Sequence, residues 1–154
     1  MIILGIDPGI ARMGFGIIEE IKLKARAIEY GCVETSKDIP HAQRLLILHK
    51  ALTKLIQQYH PERVAVEQLF FSKNVKTALQ VGEARGVIML TCQMEQVPVV
   101  EISPKEVKVA LTGYGQADKP QMQKMIQLIL KLKTIPKPDD AADALAIAIA
   151  GARM

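Results

Sequence analysis

The sequence has no tryptophan, and aromatic residues make up only 4% of its 154 positions. Proteins that bind single strands mainly by base stacking need exposed aromatic side chains, so this class is disfavoured. There is also no apolar run of the roughly 20 residues that a membrane-spanning helix needs, and we expect no membrane partner. The apolar start, residues 1–6, lacks the basic flank of a signal peptide and is typical of a strand. These absences favour a cytoplasmic protein.

Cysteine is scarce as well. The two cysteines, Cys32 and Cys92, have no metal-ligand spacing. We expect both to be ordinary buried thiols of a reducing compartment. The chain is 49% apolar and 23% charged, which fits a single domain over residues 1–154 with a normal core. A net charge of +4 permits a polyanionic partner without identifying one.

The first part of the chain predicts three strands with short connections. An apolar run from Ile2 to Ile6 is followed by a Pro-Gly turn and a second strand that begins at Gly14. A third strand is predicted from Lys22 to near Thr35. Parallel pairing needs long crossovers, so these three strands should form an antiparallel meander.

The middle of the chain alternates helices and strands. Apolar residues at roughly helical spacing predict one helix over residues 41–59, and a second is predicted over residues 74–94. Short β-branched runs at residues 63–67 and 97–102 predict two strands, which helical crossovers would join in parallel. The fold class is therefore α/β, with a five-stranded mixed sheet flanked by helices.

Three more helices are predicted in the last third of the chain. Ser103 and Asp118 each begin a capping box with a proline in the first turn. The two helices should end near Gly113 and Lys133, and a last, alanine-rich helix is predicted from Asp139 to near residue 153.

Four carboxylates lie where these elements begin or end. Asp7 and Glu67 follow two apolar strands, and Asp140 and Asp143 share one face in the first turn of the last helix. Each alone has an ordinary explanation: a turn aspartate that bonds its own backbone, a strand-end glutamate in water, or acids at a helix N-terminus. Together they predict a metal site, because Mg²⁺ prefers oxygen ligands and rigid element ends can hold several carboxylates in one space.

Several separated motifs, in this order, resemble the RuvC family of bacterial Holliday junction resolvases. They are residues 1–9 with Asp7, residues 65–70 with Glu67, residues 82–87, and residues 140–148 with the aspartate pair. The resemblance covers nearly the whole chain. It implies a ribonuclease H-like fold and a homodimer whose two active sites nick opposing strands of a four-way DNA junction symmetrically. It also implies a partnership with the RuvA and RuvB branch-migration complex.

By motif position, the resemblance makes Asp7, Glu67, Asp140 and Asp143 the catalytic residues and the ligands of Mg²⁺. Two ions per site are implied, and Mn²⁺ is a possible substitute. Two ions about 3.5 to 4 Å apart activate a water on one side of the phosphorus and stabilise the leaving oxygen on the other. Crowded carboxylates repel one another, so at least one should have a raised pKa when metal is absent.

The same resemblance assigns DNA contacts. Lys108 and Lys119, beside helix ends, match basic positions of the family, and Phe70 matches a residue that stacks on or wedges between bases near the cut. Arg85 lies on a helix that would face either the DNA or the dimer seam.

A stripe of small residues recurs every four positions in the second helix: Ala78, Gly82 and Gly86. Such a stripe permits close approach of another backbone. It packs either against a second copy of the chain or against the chain's own sheet.

Two other kinds of function remain alternatives. A ribonuclease H or a transposase-type strand transferase would use the same acidic residues on the same fold. A non-catalytic junction-binding protein would keep the fold without cutting. The Asp-x-x-Asp pair and the Glu-Gln-x-Phe segment favour the resolvase, and four intact carboxylates disfavour a binding role alone.

Overall fold

The structure, a computed structural model, describes residues 1–69 and 75–154. The strands are β1 (Ile2–Asp7), β2 (Arg12–Ile21), β3 (Lys24–Glu34), β4 (Arg63–Glu67) and β5 (Val99–Ile102). The helices are α1 (His41–Tyr59), α2 (Val75–Met94), α3 (Pro104–Thr112), α4 (Lys119–Ile129) and α5 (Asp139–Ala152).

The five strands form one mixed sheet in the order β3-β2-β1-β4-β5. The pairs β1–β2 and β2–β3 are antiparallel, whereas β1–β4 and β4–β5 are parallel. The predicted meander and parallel crossovers are thereby confirmed. The central strand is β1, as its continuous apolar run indicates, because strands covered on both faces need no polar alternation.

Helices cover both faces of the sheet. Leu4 and Ile6 of β1 belong to an apolar cluster with residues of α1 and α2 on one face. Ile3 points to the other face, where its cluster includes residues of α3, α4 and α5. Successive side chains of a β-strand point to opposite faces of the sheet, so those of β1 enter two separate cores. The fold therefore has three layers, with the sheet between two layers of helices.

The alanine-rich helix α5 lies against the sheet at backbone contact. A Cβ atom added to Gly5 would stand 2.1 Å from the carbonyl oxygen of Ala144, and one added to Gly14 would stand 2.1 Å from that of Asp140. No side chain fits in that space, so the glycines of β1 and β2 fix how closely α5 approaches. They also fix where its N-terminus lies.

Some predicted boundaries are wrong by a few residues. Strand β3 begins at Lys24 because Lys22 and Leu23 form the hairpin turn, with φ angles of 51° and 64°. Strand β5 begins at Val99 and not at residue 97. Helix α4 ends at Ile129, four residues early, and Lys131 just beyond it is left-handed at φ 53°.

Other expectations concern local chemistry. Both capping boxes are present, at Ser103 and at Asp118. Cys92 is buried as expected, but the expectation is wrong for Cys32, which is partly exposed on β3; both thiols are free. Within the described ranges, no helix is long and apolar enough to cross a membrane.

Candidate active site

Two of the four predicted carboxylates are placed side by side by strand register. Ile6 and Val66 are paired across the parallel strands β1 and β4, so the next residues, Asp7 and Glu67, end neighbouring strands at the same edge of the sheet. Gly5 lies directly under α5, and side chains alternate along a strand. Asp7 therefore points to the face that α5 covers.

The other two carboxylates come from the first turns of α5. Gly14 is paired with Asp7 and lies directly beneath the carbonyl of Asp140, so the N-terminus of α5 stands over the end of β1. Asp140 and Asp143 are three residues apart and share a face of the helix. Backbone packing thus brings four carboxylates from three elements to one edge of the sheet.

A cavity of about 290 Å³ opens at this edge and is lined by Asp7, Glu67 and Asp143 together with two lysines, Lys108 and Lys119. We call it the carboxylate cleft. Asp140 lies at its margin, where its carboxylate is 3.8 Å from the guanidinium of Arg12.

Burial and mutual repulsion perturb the acids of the cleft. Burial is the main cause that raises the pKa of Asp7 from 3.8 to about 7. Repulsion by Glu67, Asp143 and Asp140 raises it further, whereas Lys119 lowers it. A cation bound beside Asp7 would reverse this shift, because an opposite charge favours the ionised carboxylate.

Glu67 and Asp143 are perturbed in the same direction. Burial raises the pKa of Glu67, and the charge of Asp143 adds to the effect. Asp143 is solvent-accessible within the cleft, yet partial loss of hydration raises its pKa. The charge of Lys119 lowers this pKa, whereas the charges of Asp139 and Asp140 raise it. The expectation that crowding raises a carboxylate pKa is confirmed.

The donor set suits a hard divalent cation. Asp7, Glu67 and Asp143 form no hydrogen bond or ion pair with another described residue, so their oxygens are free to turn. In the conformation described for residues 1–69 and 75–154, no group of three or more His, Cys, Asp or Glu side chains is arranged to hold a metal ion.

Both predicted DNA-binding lysines lie at the cleft. The ammonium group of Lys119 donates a hydrogen bond of 2.6 Å to the carboxylate of Asp139, which raises the lysine pKa and lowers that of the aspartate. Lys108 lines the cleft from α3. The sequence did not predict a role for Arg12 or Asp139 at this cleft, because their partners lie far along the chain. The one indication for Asp139 was its position beside the aspartate pair.

Arg85 lies elsewhere. It forms an ion pair with Glu101 of β5, and the two side chains line a separate cavity of about 950 Å³ together with Gln68 and Glu83. Phe70, the predicted wedge, falls outside the described residues.

The small-residue stripe of α2 faces outward. A Cβ atom added to Gly82 or Gly86 would meet nothing within 4 Å, so packing against the chain's own sheet is wrong for these two positions. The same face carries exposed apolar side chains: Val75, Leu79, Leu90 and Met94. The opposite face, with Ala84 and Ile88, is buried.

A mixed sheet in this strand order, with acidic residues at the ends of β1 and β4 and at the start of α5, defines a ribonuclease H-like protein. Comparison with known proteins agrees. The sequence model described as "Crossover junction endodeoxyribonuclease RuvC" matches residues 3–151. The chain therefore belongs to the RuvC family.

Individual relatives give the degree of similarity. The chain is 55% identical over 146 residues to a crossover junction endodeoxyribonuclease RuvC of Roseiflexus sp. (strain RS-1), covering 95% of this chain and 87% of that one. It is 38% identical to Thermus thermophilus RuvC, whose structure superimposes with a TM-score of 0.91 over 99% of this chain and 93% of that one. The structure of T. thermophilus RuvC in complex with Holliday junction substrate superimposes with a TM-score of 0.95, at the same identity and coverage.

Proposed function

We propose that this chain is a Holliday junction resolvase: a Mg²⁺-dependent endonuclease that makes paired symmetric nicks in four-way DNA junctions during recombination and repair. The observation that carries the proposal is the carboxylate cleft, where burial and three other acids raise the pKa of Asp7 to about 7. Membership of the RuvC family and the fit to a junction-bound relative support the substrate class.

The RuvC family is a family of metal-dependent nucleases, and we assign the ion here as Mg²⁺, with Mn²⁺ as a substitute. Asp7, Glu67, Asp140 and Asp143 would hold it, with two ions per site. When bound, the ions lower the pKa of an attacking water and stabilise the leaving 3′ oxygen. Asp7, which ends the central strand between the other acids, would be a ligand of both ions.

The lysine and arginine side chains at the cleft have roles other than metal binding. We assign Lys119 and Lys108 to contacts with backbone phosphates of the DNA, because both line the cleft that holds the acids. Arg12, 3.8 Å from Asp140, restrains that carboxylate at the margin of the cleft. Phosphate contacts of this kind provide affinity that persists when an acid is lost.

The two other predicted DNA contacts, Phe70 and Arg85, rest on different grounds. The wedge role of Phe70 stays a prediction from the motif. Arg85 is held by Glu101 beside Gln68, the residue that follows Glu67. We therefore assign Arg85 to supporting the strand end that carries Glu67, and its contact with DNA stays a prediction from the resemblance.

A homodimer is the proposed assembly. The outward face of α2 joins the open positions Gly82 and Gly86 to exposed Leu79 and Leu90, and leaving such a face in water is unfavourable. A second copy related by a two-fold axis would cover it with its own α2 and would match the symmetry of a junction. The RuvA and RuvB complex as a further partner, cytoplasmic location and a single domain over residues 1–154 complete the proposal.

The proposal is tested with the purified protein on a four-way junction with a mobile core, a matched duplex and an RNA–DNA hybrid, each with and without Mg²⁺. The Asp7→Asn variant is the matched control, since it keeps the shape of the side chain. Paired nicks on the junction alone, dependent on metal and on Asp7, support the resolvase. Junction binding without cutting in any metal would assign a binding role, and preferred cleavage of the hybrid would assign a ribonuclease H.

A further inference from the structure

The tip of the β2–β3 hairpin lies at the end of the sheet opposite the carboxylate cleft. Asp7 is paired with Gly14, whereas the far end of β1, Ile2, is paired with Glu19, three residues before the turn residue Lys22. Between this tip and the C-terminal ends of α4 and α5 lies a cavity of about 620 Å³, which we call the hairpin cleft.

The turn at the tip carries an unusual residue. Lys22 and Leu23 both have positive φ, at 51° and 64°, and two-residue hairpin turns of this kind favour Asn-Gly. A leucine is unfavourable in the left-handed region, and the side chain of Leu23 is 88% exposed, so packing does not compensate. Ile21 beside it is 57% exposed. Folding alone does not account for this apolar pair.

The apolar pair is surrounded by positive charge. Among the described residues, no ion pair involves Lys22, Lys24 or Lys131, all of which line the hairpin cleft. Arg26 is neutralised by Glu19, which is the one acid on the lining. Lys131 lies just beyond the C-terminus of α4, where a cation stabilises the helix dipole, but the two hairpin lysines have no such role.

We propose that the hairpin cleft docks a short acidic segment of another protein, anchored by an apolar side chain against Ile21 and Leu23. The charge of the rim requires an acidic occupant. The exposed apolar pair favours a protein segment over a nucleic acid backbone, which has no apolar group to bury there. The cleft is at the far end of the sheet from the acids, so an occupant leaves the nuclease site open. The proposal does not depend on the nature of the nuclease substrate.

The test measures fluorescence anisotropy with a labelled peptide that has a block of aspartates next to two leucines. Leu23→Asn removes the anchor with a residue that the turn favours, and Lys22→Glu combined with Lys24→Glu inverts the charge. Leu46→Asn and Lys50→Glu on α1 are the matched controls, since Leu46 is also exposed. We expect saturable, salt-sensitive binding that becomes about tenfold weaker with Leu23→Asn, is lost with the charge inversion and is unchanged in the controls.

Two further measurements separate docking from structure and from DNA binding. Leu23→Asn should unfold at the same temperature as the parent protein or a higher one, and should retain its nuclease activity. The proposal is overturned if the peptide does not bind saturably, or if Leu23→Asn binds it as tightly as the parent protein does. It is also overturned if a peptide with lysines in place of aspartates binds equally well. If duplex DNA displaces the peptide and the charge inversion weakens DNA binding, the surface contacts a junction arm instead. That result would also overturn the proposal.

Discussion

Replacing Asp7 by asparagine should stabilise the metal-free protein at neutral and alkaline pH. Raising the pKa of Asp7 from 3.8 to about 7 corresponds to about 4 kcal/mol of folding free energy that is lost when the carboxyl ionises. The cleft is open to solvent and its side chains can turn away from one another, so we expect a gain of about 1 to 3 kcal/mol for Asp7→Asn.

The sign of the pH dependence follows from proton binding. The folded protein keeps the Asp7 proton up to pH about 7, whereas the unfolded chain releases it near 3.8. Between these values the folded state binds more protons, so the free energy of unfolding falls as pH rises, and the loss is complete above pH about 7. Asp7→Asn removes this contribution. The stability difference between variant and parent should therefore be larger at pH 8 than at pH 5.

The assay is urea unfolding in chelator at both pH values, repeated with Mg²⁺ at pH 8. Mg²⁺ should stabilise the parent protein and remove most of the difference, because a bound cation offsets the repulsion that the variant relieves. Asp38→Asn, at an exposed position outside the cleft, should change stability little at either pH. A destabilised Asp7→Asn in chelator, or a difference that does not grow with pH, would refute the electrostatic account of the cleft.

Three further predictions concern packing, DNA affinity and assembly. Gly14→Ala should destabilise the fold by about 2 to 4 kcal/mol in urea unfolding, because its Cβ would stand 2.1 Å from the Asp140 carbonyl; an unchanged midpoint would contradict the close docking of α5. Lys119→Ala should weaken junction binding and lower the slope of log K against log salt by about 1, measured by anisotropy titrations, whereas an unchanged slope would remove its phosphate contact. Gly86→Asp should give a folded monomer in sedimentation experiments, because it places charge in the proposed dimer seam; a persisting dimer would move the seam elsewhere.

Local features of the sequence predicted most of the fold. The apolar run of β1 and the capping boxes at Ser103 and Asp118 depend on neighbouring residues, and the structure has them where the sequence indicates. The convergence of four carboxylates followed from the order of motifs. Its geometric cause, the matched register of Ile6 and Val66, is a property of the paired strands and not of either strand alone.

Long-range packing accounts for what the sequence did not predict. The alanines of α5 indicate a buried helix, but its contact with Gly14 needs the sheet to be known. Apolar residues are spread around all sides of helix α2, so periodicity could not tell its buried face, with Ile88, from its exposed face, with Leu90. The ion pair of Lys119 with Asp139 joins residues 20 apart, and no local pattern marks it.

In the proposed dimer, the carboxylate cleft of each protomer cuts one strand of a junction. The most direct measurement uses a supercoiled plasmid with an extruded cruciform, incubated with protein and Mg²⁺ and analysed for linear and nicked products. We expect linear product from the parent protein, nicked circles from mixed dimers with Asp7→Asn, and no cleavage by the variant alone or in chelator. Cleavage by Asp7→Asn at the parental rate would contradict this expectation.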